Sequence, residues 1–292
     1  MSIIKRAISA DGSVVASAID STDIVSVIER YHQPSAVVTA ALGRLATAAS
    51  LMGYGQKNEG DQLTLRIDGD GPIGGMAAVA DSWGNVKCYA NNYIVEIPLN
   101  ARGKLDVGGA VGAGTLSVIK DLGLKEPYVG TIPLVSGEIA EDIASYYADS
   151  EQIPTVLSLG VLVAPDLSVR HAGGFLIQLL PFADEACIPI LEKNVAAMPH
   201  VTQMLEEGLT AEDIVLRCLD GLEPNLLDGA EVTYHCDCSR ERTSRVLVSI
   251  GREELQKLAD TGEDIEVCCH FCDKKYVFTP DEILGLIRGG DA

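Results

Sequence analysis

The chain has 292 residues, 47% of them apolar and 22% charged, a globular composition that excludes a disordered or fibrous chain. Its 42 acidic residues against 22 lysines and arginines leave a formal charge of −20. That charge repels phosphate backbones and anionic lipid, so no nucleic acid and no membrane partner is expected.

The N-terminal stretch MSIIKRAISADGSVV lacks a long apolar run and a cleavage site, so no secretory signal is read there. Ile3 to Ser9 and Ser13 to Ile19 read as short strands around the Asp11-Gly12 turn. Ile24, Val27, Ile28 and Tyr31 then fall on one helical face, with Ser21 or Asp20 as the cap. Pro34 opens a second helix to about Gly53, rich in Ala, whose small side chains allow close packing. Its most apolar part, Ala36 to Met52, is interrupted by Arg44 and by Thr and Gly, which argues against a bilayer span. A cytoplasmic location follows as an expectation, with cysteines held as thiols or metal ligands rather than as structural disulfides.

Leu63, Leu65 and Ile67 alternate as a strand, and Gly74 to Ala80 with Asn85 to Ala90 flank a hairpin turn at residues 81–84. Strands are expected near Thr115 to Lys120 and Gly130 to Val135, and a helix from Glu138 to Tyr147. Val156 to Val163 and Gly173 to Leu180 complete the sheet. Gly112-Ala-Gly114-Thr-Leu-Ser117 lacks the third glycine of a dinucleotide loop and reads as a turn. Among five histidines no Ser/His/Asp or Cys/His order stands out, and no enzyme is expected.

The texture changes after residue 178. Residues 179–231 hold eleven acidic and two basic residues, and their helical segments near 185–197, 201–207 and 211–219 are broken by prolines. Thr210-Ala-Glu-Asp213 gives a capping start without the Glu or Gln of a full box. A segment so poorly punctuated depends for its order on what it rests against. In the last 61 residues, helices are expected from Ser239 to Ile250 and from Arg252 to Ala259. Ile265 to Val267 and Tyr276 to Phe278 read as a hairpin, and Thr279-Pro-Asp-Glu282 is a full capping box launching a final helix. The fold class is thus α+β: a mixed α/β core domain over 1–178, an acidic helical linker over 179–231 and a small C-terminal domain over 232–292, whose cysteines are read next as zinc ligands.

Eight cysteines are too few for a disulfide scaffold, and their placement is uneven. Cys88, Cys187 and Cys218 lie in apolar surroundings and read as small hydrophobes. Cys236-Asp-Cys238 and Cys269-His-Phe-Cys272 form two close pairs separated by 30 residues. Two such pairs around a short subdomain are the pattern of a tetrahedral four-thiolate zinc site, with one Zn2+ in place of a core that so few residues could not build. His235 and His270 adjoin the pairs as alternative ligands, although two complete cysteine pairs already fill four positions. Cys268 reads as a spare thiol, because a vicinal disulfide with Cys269 would be strained. Arg240, Arg242, Arg245, Lys274 and Lys275 flank the pairs and are expected to balance the thiolate charge.

With the pairs placed, the sequence resembles the redox-regulated heat-shock protein 33 chaperone family, the 33 kDa chaperonins. The resemblance rests on Cys236-Asp-Cys238-Ser-Arg-Glu-Arg242, on Cys269-His-Phe-Cys272 with Tyr276 and Phe278, on Ser150-Glu-Gln-Ile-Pro-Thr155, and on Ala172-Gly-Gly174 with Gln178. Cys268 departs from the family pattern. The resemblance implies an ATP-independent holdase in which Cys236, Cys238, Cys269 and Cys272 hold zinc in the reduced, inactive form. Oxidants would convert each close pair to a disulfide, release zinc, and unfold the C-terminal domain and linker. Unfolding client proteins would be captured on the exposed apolar surface, the active form being a homodimer.

Two rivals fit parts of the pattern. A zinc module binding nucleic acid would use the five basic residues, against the overall charge. A thiol–disulfide enzyme would use Cys269-His-Phe-Cys272, but such a motif belongs at a helix N-terminus in a βαβ unit.

Overall fold

A computed structural model, describing residues 1–181 and 183–289, begins with the expected hairpin. Strands β1 (Ser2–Ile8) and β2 (Val14–Asp20) pair antiparallel around Gly12, whose φ of +74° suits a residue without a β-carbon. The Asp11 carboxylate accepts from Ser9 Oγ at 2.6 Å and from the hydroxyl and amide of Ser13 at 2.7 and 3.0 Å. These bonds favour its charged form and pull its pKa down to about 2. Helix α1 (Thr22–His32) buries Ile24, Val25, Ile28 and His32. Tyr31, expected on that face, is 42% exposed instead, with its ring edge-on to Tyr234 at 5.6 Å. Of the two cap candidates, Asp20 receives the Thr22 amide at 3.0 Å, while the Ser21 hydroxyl is shared with Thr47 Oγ1 at 2.7 Å.

Helix α2 (Ala36–Tyr54) is mostly apolar on every face, Arg44 excepted, and 16 of its 19 residues are buried. By length and composition it could cross a bilayer, yet 89% of its most apolar window is buried within the protein. A helix with no polar face needs cover on every side, and two sheets supply it. Close approach depends on its small residues: a β-carbon at Gly53 would lie 2.7 Å from Ala80 Cβ.

After α2 come β3 (Gln62–Gly69), β4 (Gly75–Asp81) and β5 (Val86–Ala90), a short helix α3 (Val107–Val111), then β6 (Gly114–Asp121) and β7 (Tyr128–Pro133). They form one five-stranded sheet in the order β5-β4-β3-β6-β7. Helix α4 (Ala140–Tyr146) ends in a π-turn over Tyr147–Glu151, and β8 (Thr155–Val163) and β9 (Val169–Leu179) follow. The sequence reading placed these last two strands in the same sheet as their predecessors. Instead β9 pairs with β2, Val14 opposite Leu179, and β8 pairs with β9, in a second sheet. Alternation marks a strand but does not name its neighbour. Of the glycine-rich stretch at 112–117, read as a turn, only Gly112, at φ +75°, and Ala113 lie between α3 and β6; residues 114–117 belong to β6 itself.

Beyond Pro181 the acidic segment carries α5 (Ile188–Ala197), α6 (Val201–Glu206) and α7 (Ala211–Cys218), close to the expected helices. Thr210 and Asp213 close a reciprocal capping box after all, at 2.8 and 3.2 Å, because an aspartate there reaches the cap amide. Leu191, Met204, Leu205, Ile214 and Val215 on these helices form a second core with Ala7, Val14, Ala16, Ala18, Phe175 and Ile177 of the sheet. The segment ends in a strand that the periodicity did not reveal, β10 (Asn225–Val232), paired with β1; the second sheet runs β10-β1-β2-β9-β8.

Residues 233–235 then cross to the first sheet. The Val86 amide donates to Thr233 O at 3.0 Å and the His235 amide to Val86 O at 2.9 Å. Asn85 Oδ1 accepts from the Thr233 amide at 3.1 Å, and the Tyr234 hydroxyl meets the Cys88 amide and carbonyl at 3.3 and 3.0 Å.

The chain divides into two compact units, Met1–His235 and Cys236–Ala292. The second contains α8 (Arg240–Ser249), α9 (Arg252–Asp260), the hairpin of β11 (Ile265–Cys268) and β12 (Lys275–Phe278), and α10 (Pro280–Gly289). The capping box at Thr279 is formed, the amides of Thr279 and Glu282 donating to Glu282 Oε2 and Thr279 Oγ1 at 2.9 and 3.3 Å. Its buried core is small: Leu247, Leu255, Ala259, Tyr276, Phe278, Ile283 and Ile287.

In the first unit, the fully buried Asp142 accepts from four amides, those of Val135, Ser136, Gly137 and Ile139, at 2.7–3.2 Å. It thereby holds Ile139 at φ +73°, a costly conformation for a β-branched residue. Asp142→Ala should lower the unfolding free energy by about 3–5 kcal/mol. Urea denaturation checks this, and a loss under about 1 kcal/mol would mean the amides find other partners.

Candidate metal centre

Cys236 and Cys238 lie in the extended segment between β10 and α8. Directly after them Ser239 accepts the Arg242 amide at 3.1 Å, which starts α8 and sets the direction of the chain. Cys269 and Cys272 sit in the turn joining β11 to β12. The amides of Cys272 and Asp273 both donate to Cys269 O, at 3.3 and 2.8 Å, and the Cys269 amide donates to Lys274 O at 3.0 Å. Asp273 takes φ +55° to close this knuckle.

The two pairs meet although more than thirty residues separate the partners in sequence. Cys236 Sγ is 3.7 Å from Cys269 Sγ, and Cys238 Sγ is 3.5 Å from Cys272 Sγ. All four sulfurs lie within 4.8 Å of one another. Four sulfurs at about 2.3 Å from a tetrahedral ion would be separated by about 3.8 Å. The donor set therefore fits a zinc ion, and among the described residues it is composed of the four cysteines alone.

Burial is the largest influence on three of these thiols. It pushes Cys236 far up and Cys272 to about 11. For Cys238 burial also acts upward, but hydrogen bonds from the Tyr276 hydroxyl and the three neighbouring thiols outweigh it, and the net shift is downward. The Tyr276 hydroxyl donates to Cys238 Sγ at 3.1 Å, and that bond raises the phenol's own pKa.

Tyr276 is the site residue that sequence reasoning missed in this role. It stands four residues after Cys272 and two before Phe278, on the buried face of β12, where spacing alone marks it only as a core residue. The flanking bases do something other than balance thiolates. Arg240 pairs with Glu282 at 2.6 Å, donates to Val277 O and lies over the Phe278 ring. Arg242 pairs with Asp237, Lys275 with Glu266 at 2.8 Å, and Lys274 stands over the Tyr276 ring. These contacts pin the elements of the small unit to one another, and carboxylates pair with three of the five bases, Arg240, Arg242 and Lys275.

Cys268 ends β11 opposite Lys275, exposed on the face away from the small core, so it stands outside the cluster. Cys88, Cys187 and Cys218 are buried, as their surroundings suggested, and desolvation pushes all three thiols up, Cys218 to about 12. Cys269 and Cys272 lie in a hairpin turn rather than at a helix N-terminus, which removes the structural basis for a thioredoxin-like dithiol.

A family model described as Hsp33 protein matches residues 2–279. A 33 kDa chaperonin of Lachnoclostridium phytofermentans is 49% identical over 282 residues, covering 97% of each chain. One from Clostridioides difficile is 49% identical over 284 residues, again 97% of each. The crystal structure of a 33 kDa chaperonin (heat shock protein 33 homolog) from Thermotoga maritima superposes with a TM-score of 0.91 at 36% identity, covering 99% of this chain and 98% of that one. With both its length and its fold matched, this chain belongs to the Hsp33 family of chaperones.

Proposed function

We propose that the chain is a redox-regulated, ATP-independent holdase of the cytoplasm that keeps thermally or oxidatively unfolded proteins from aggregating. The observation that carries this reading is the convergence of four sulfurs, from two pairs remote in sequence, in a unit with only a small apolar core. In the reduced state Cys236, Cys238, Cys269 and Cys272 would hold one Zn2+. When bound, the ion supplies a cross-link whose apparent binding energy is on the order of 10–16 kcal/mol, as large as a small domain's whole stability.

Oxidation would dismantle that donor set. In each pair one thiolate attacks a peroxide oxygen and hydroxide leaves; the neighbouring thiol then displaces water from the sulfenic acid, forming one S–S bond. Each pair gives up two electrons, and the peroxide becomes two waters. The resulting Cys236–Cys238 and Cys269–Cys272 disulfides no longer supply thiolates, so the small unit loses the tie between its two halves. Residues 232–292 would then act as the switch, and 179–231 as the linker released with it. Lifting α5–α7 would bare Val14, Ala16, Ala18, Phe175 and Ile177 as a client surface. The strong negative charge keeps client complexes in solution, and the active form is proposed to be a homodimer, without nucleic-acid or membrane partners.

Reduced, zinc-loaded protein should suppress aggregation of a thermally unfolding client weakly. After peroxide or hypochlorite it should suppress strongly, with zinc released in parallel, and reductant plus zinc should restore latency. Equal suppression in both states would falsify the switch. Peptide mapping of the oxidised chain should recover 236–238 and 269–272 links; recovery of the cross-pairs 236–269 and 238–272 would overturn the pairing. Cys269→Ser or Cys272→Ser should uncouple zinc retention from oxidation, whereas Cys88→Ala or Cys187→Ala should leave both intact, as metal titration of each variant will tell. Chelation of the reduced protein should melt α8, α9 and α10 while β1–β9 keep their amide protection. Undiminished helix signal after complete metal removal would show that the small unit stands without its ion.

A further inference from the structure

A cavity of about 370 Å³ opens in the first unit, within the size range of small-molecule pockets. Its walls are α2, strand β8, the loop through Leu99 and Leu105, and the entry to α6 at His200. In a chain of net charge −20, none of its lining side chains is acidic and three are basic: Arg44, Lys104 and His200. The rest of the wall is chiefly aliphatic, with Leu99, Leu105, Leu159, Val161 and Val163.

The charges can be counted. Arg44 is neutralised by Glu138, to whose carboxylate and carbonyl it donates. Its Nε is buried and has no hydrogen-bond partner among the described residues. Lys104 Nζ lies 3.3 Å from His200 Nε2. An ammonium has donors only, so the imidazole nitrogen is the acceptor in this contact. Among the described residues the Lys104 ammonium has no carboxylate partner. One uncompensated positive charge therefore stands at the mouth of an aliphatic groove.

We propose that this groove binds an aliphatic carboxylate, its head on Lys104 beside His200 and its chain along Leu159, Val161 and Val163. One net charge matches a carboxylate and leaves a phosphate monoester's second charge unbalanced, and the aliphatic wall favours a hydrocarbon tail over a sugar. Lys104 belongs to the loop before α3, whereas His200 caps α6, so a bound carboxylate ties that helix to the core. Resting on the holdase reading above, such a ligand would favour the latent form, because it binds only while α6 is seated.

Decanoate below its micellar concentration, titrated calorimetrically into reduced, zinc-loaded full-length protein, should bind saturably at one site and raise the thermal midpoint. Lys104→Met should weaken binding about tenfold, the loss expected for one charge-assisted hydrogen bond, and Lys104→Arg should restore it. Decanol and decylamine should bind at least about tenfold more weakly. Decanol binding as well as decanoate, or decanoate binding unchanged in Lys104→Met, would overturn the site. Tighter binding of inorganic phosphate than of decanoate would replace the carboxylate with a different anion and refute the ligand class. Binding is read without any client, so a carboxylate site in a protein that fails to suppress aggregation would sink the holdase reading and leave the site standing.

Discussion

The approach of Cys236 to Cys269 and of Cys238 to Cys272 is the constraint on which the small unit is built. Each pair is delivered by its own local device, a helix start at Ser239 and a knuckle closed by Asp273. Without a tie between the pairs, seven buried side chains must hold three helices and a two-stranded hairpin. A unit of that size has little apolar surface to bury relative to the chain entropy it must offset. On the proposed reading the thiol chemistry and the fold are therefore one problem: a change in the charge or valence of the four sulfurs would loosen the elements attached to them.

The site was legible in the sequence because metal ligation imposes short spacings that chance seldom produces. Two cysteine pairs with complete spacing named all four members of the observed cluster, and Cys268, read as a spare thiol, stands outside it. Tyr276 escaped in its role at Cys238 because a tyrosine on an alternating strand is indistinguishable, from spacing alone, from a core residue. The five basic residues were assigned to the thiolates on sequence proximity, but Asp237, Glu266 and Glu282 pair with three of them, Arg242, Lys275 and Arg240. Counting nearby charges without their acids misled the electrostatics.

The fold was legible element by element and less so in its assembly. Helices α1, α2 and α5–α7 stand close to where the sequence pattern puts them. The split into two sheets was hidden, although the mostly apolar α2 held the clue: a helix with no polar face requires cover on both sides. Strand β10 was missed because its side chains are mostly exposed and carry no alternation, so its place is fixed by backbone pairing to β1 rather than by burial. Where main-chain hydrogen bonds decide, side-chain patterning is silent.

The stitching of residues 233–235 onto Val86 and Cys88 has a mechanical corollary. Disorder spreading backward from Cys236 meets a seam at the very next residue, where a main-chain bridge, the Asn85 amide and a tyrosine clamp must give way together. Only past that seam does unzipping reach β10, and each further residue freed leaves bare backbone along β1. On the proposed switch the junction would act as a ratchet tooth between the melting tail and the sheet, and its strength would fix how far the melting front advances.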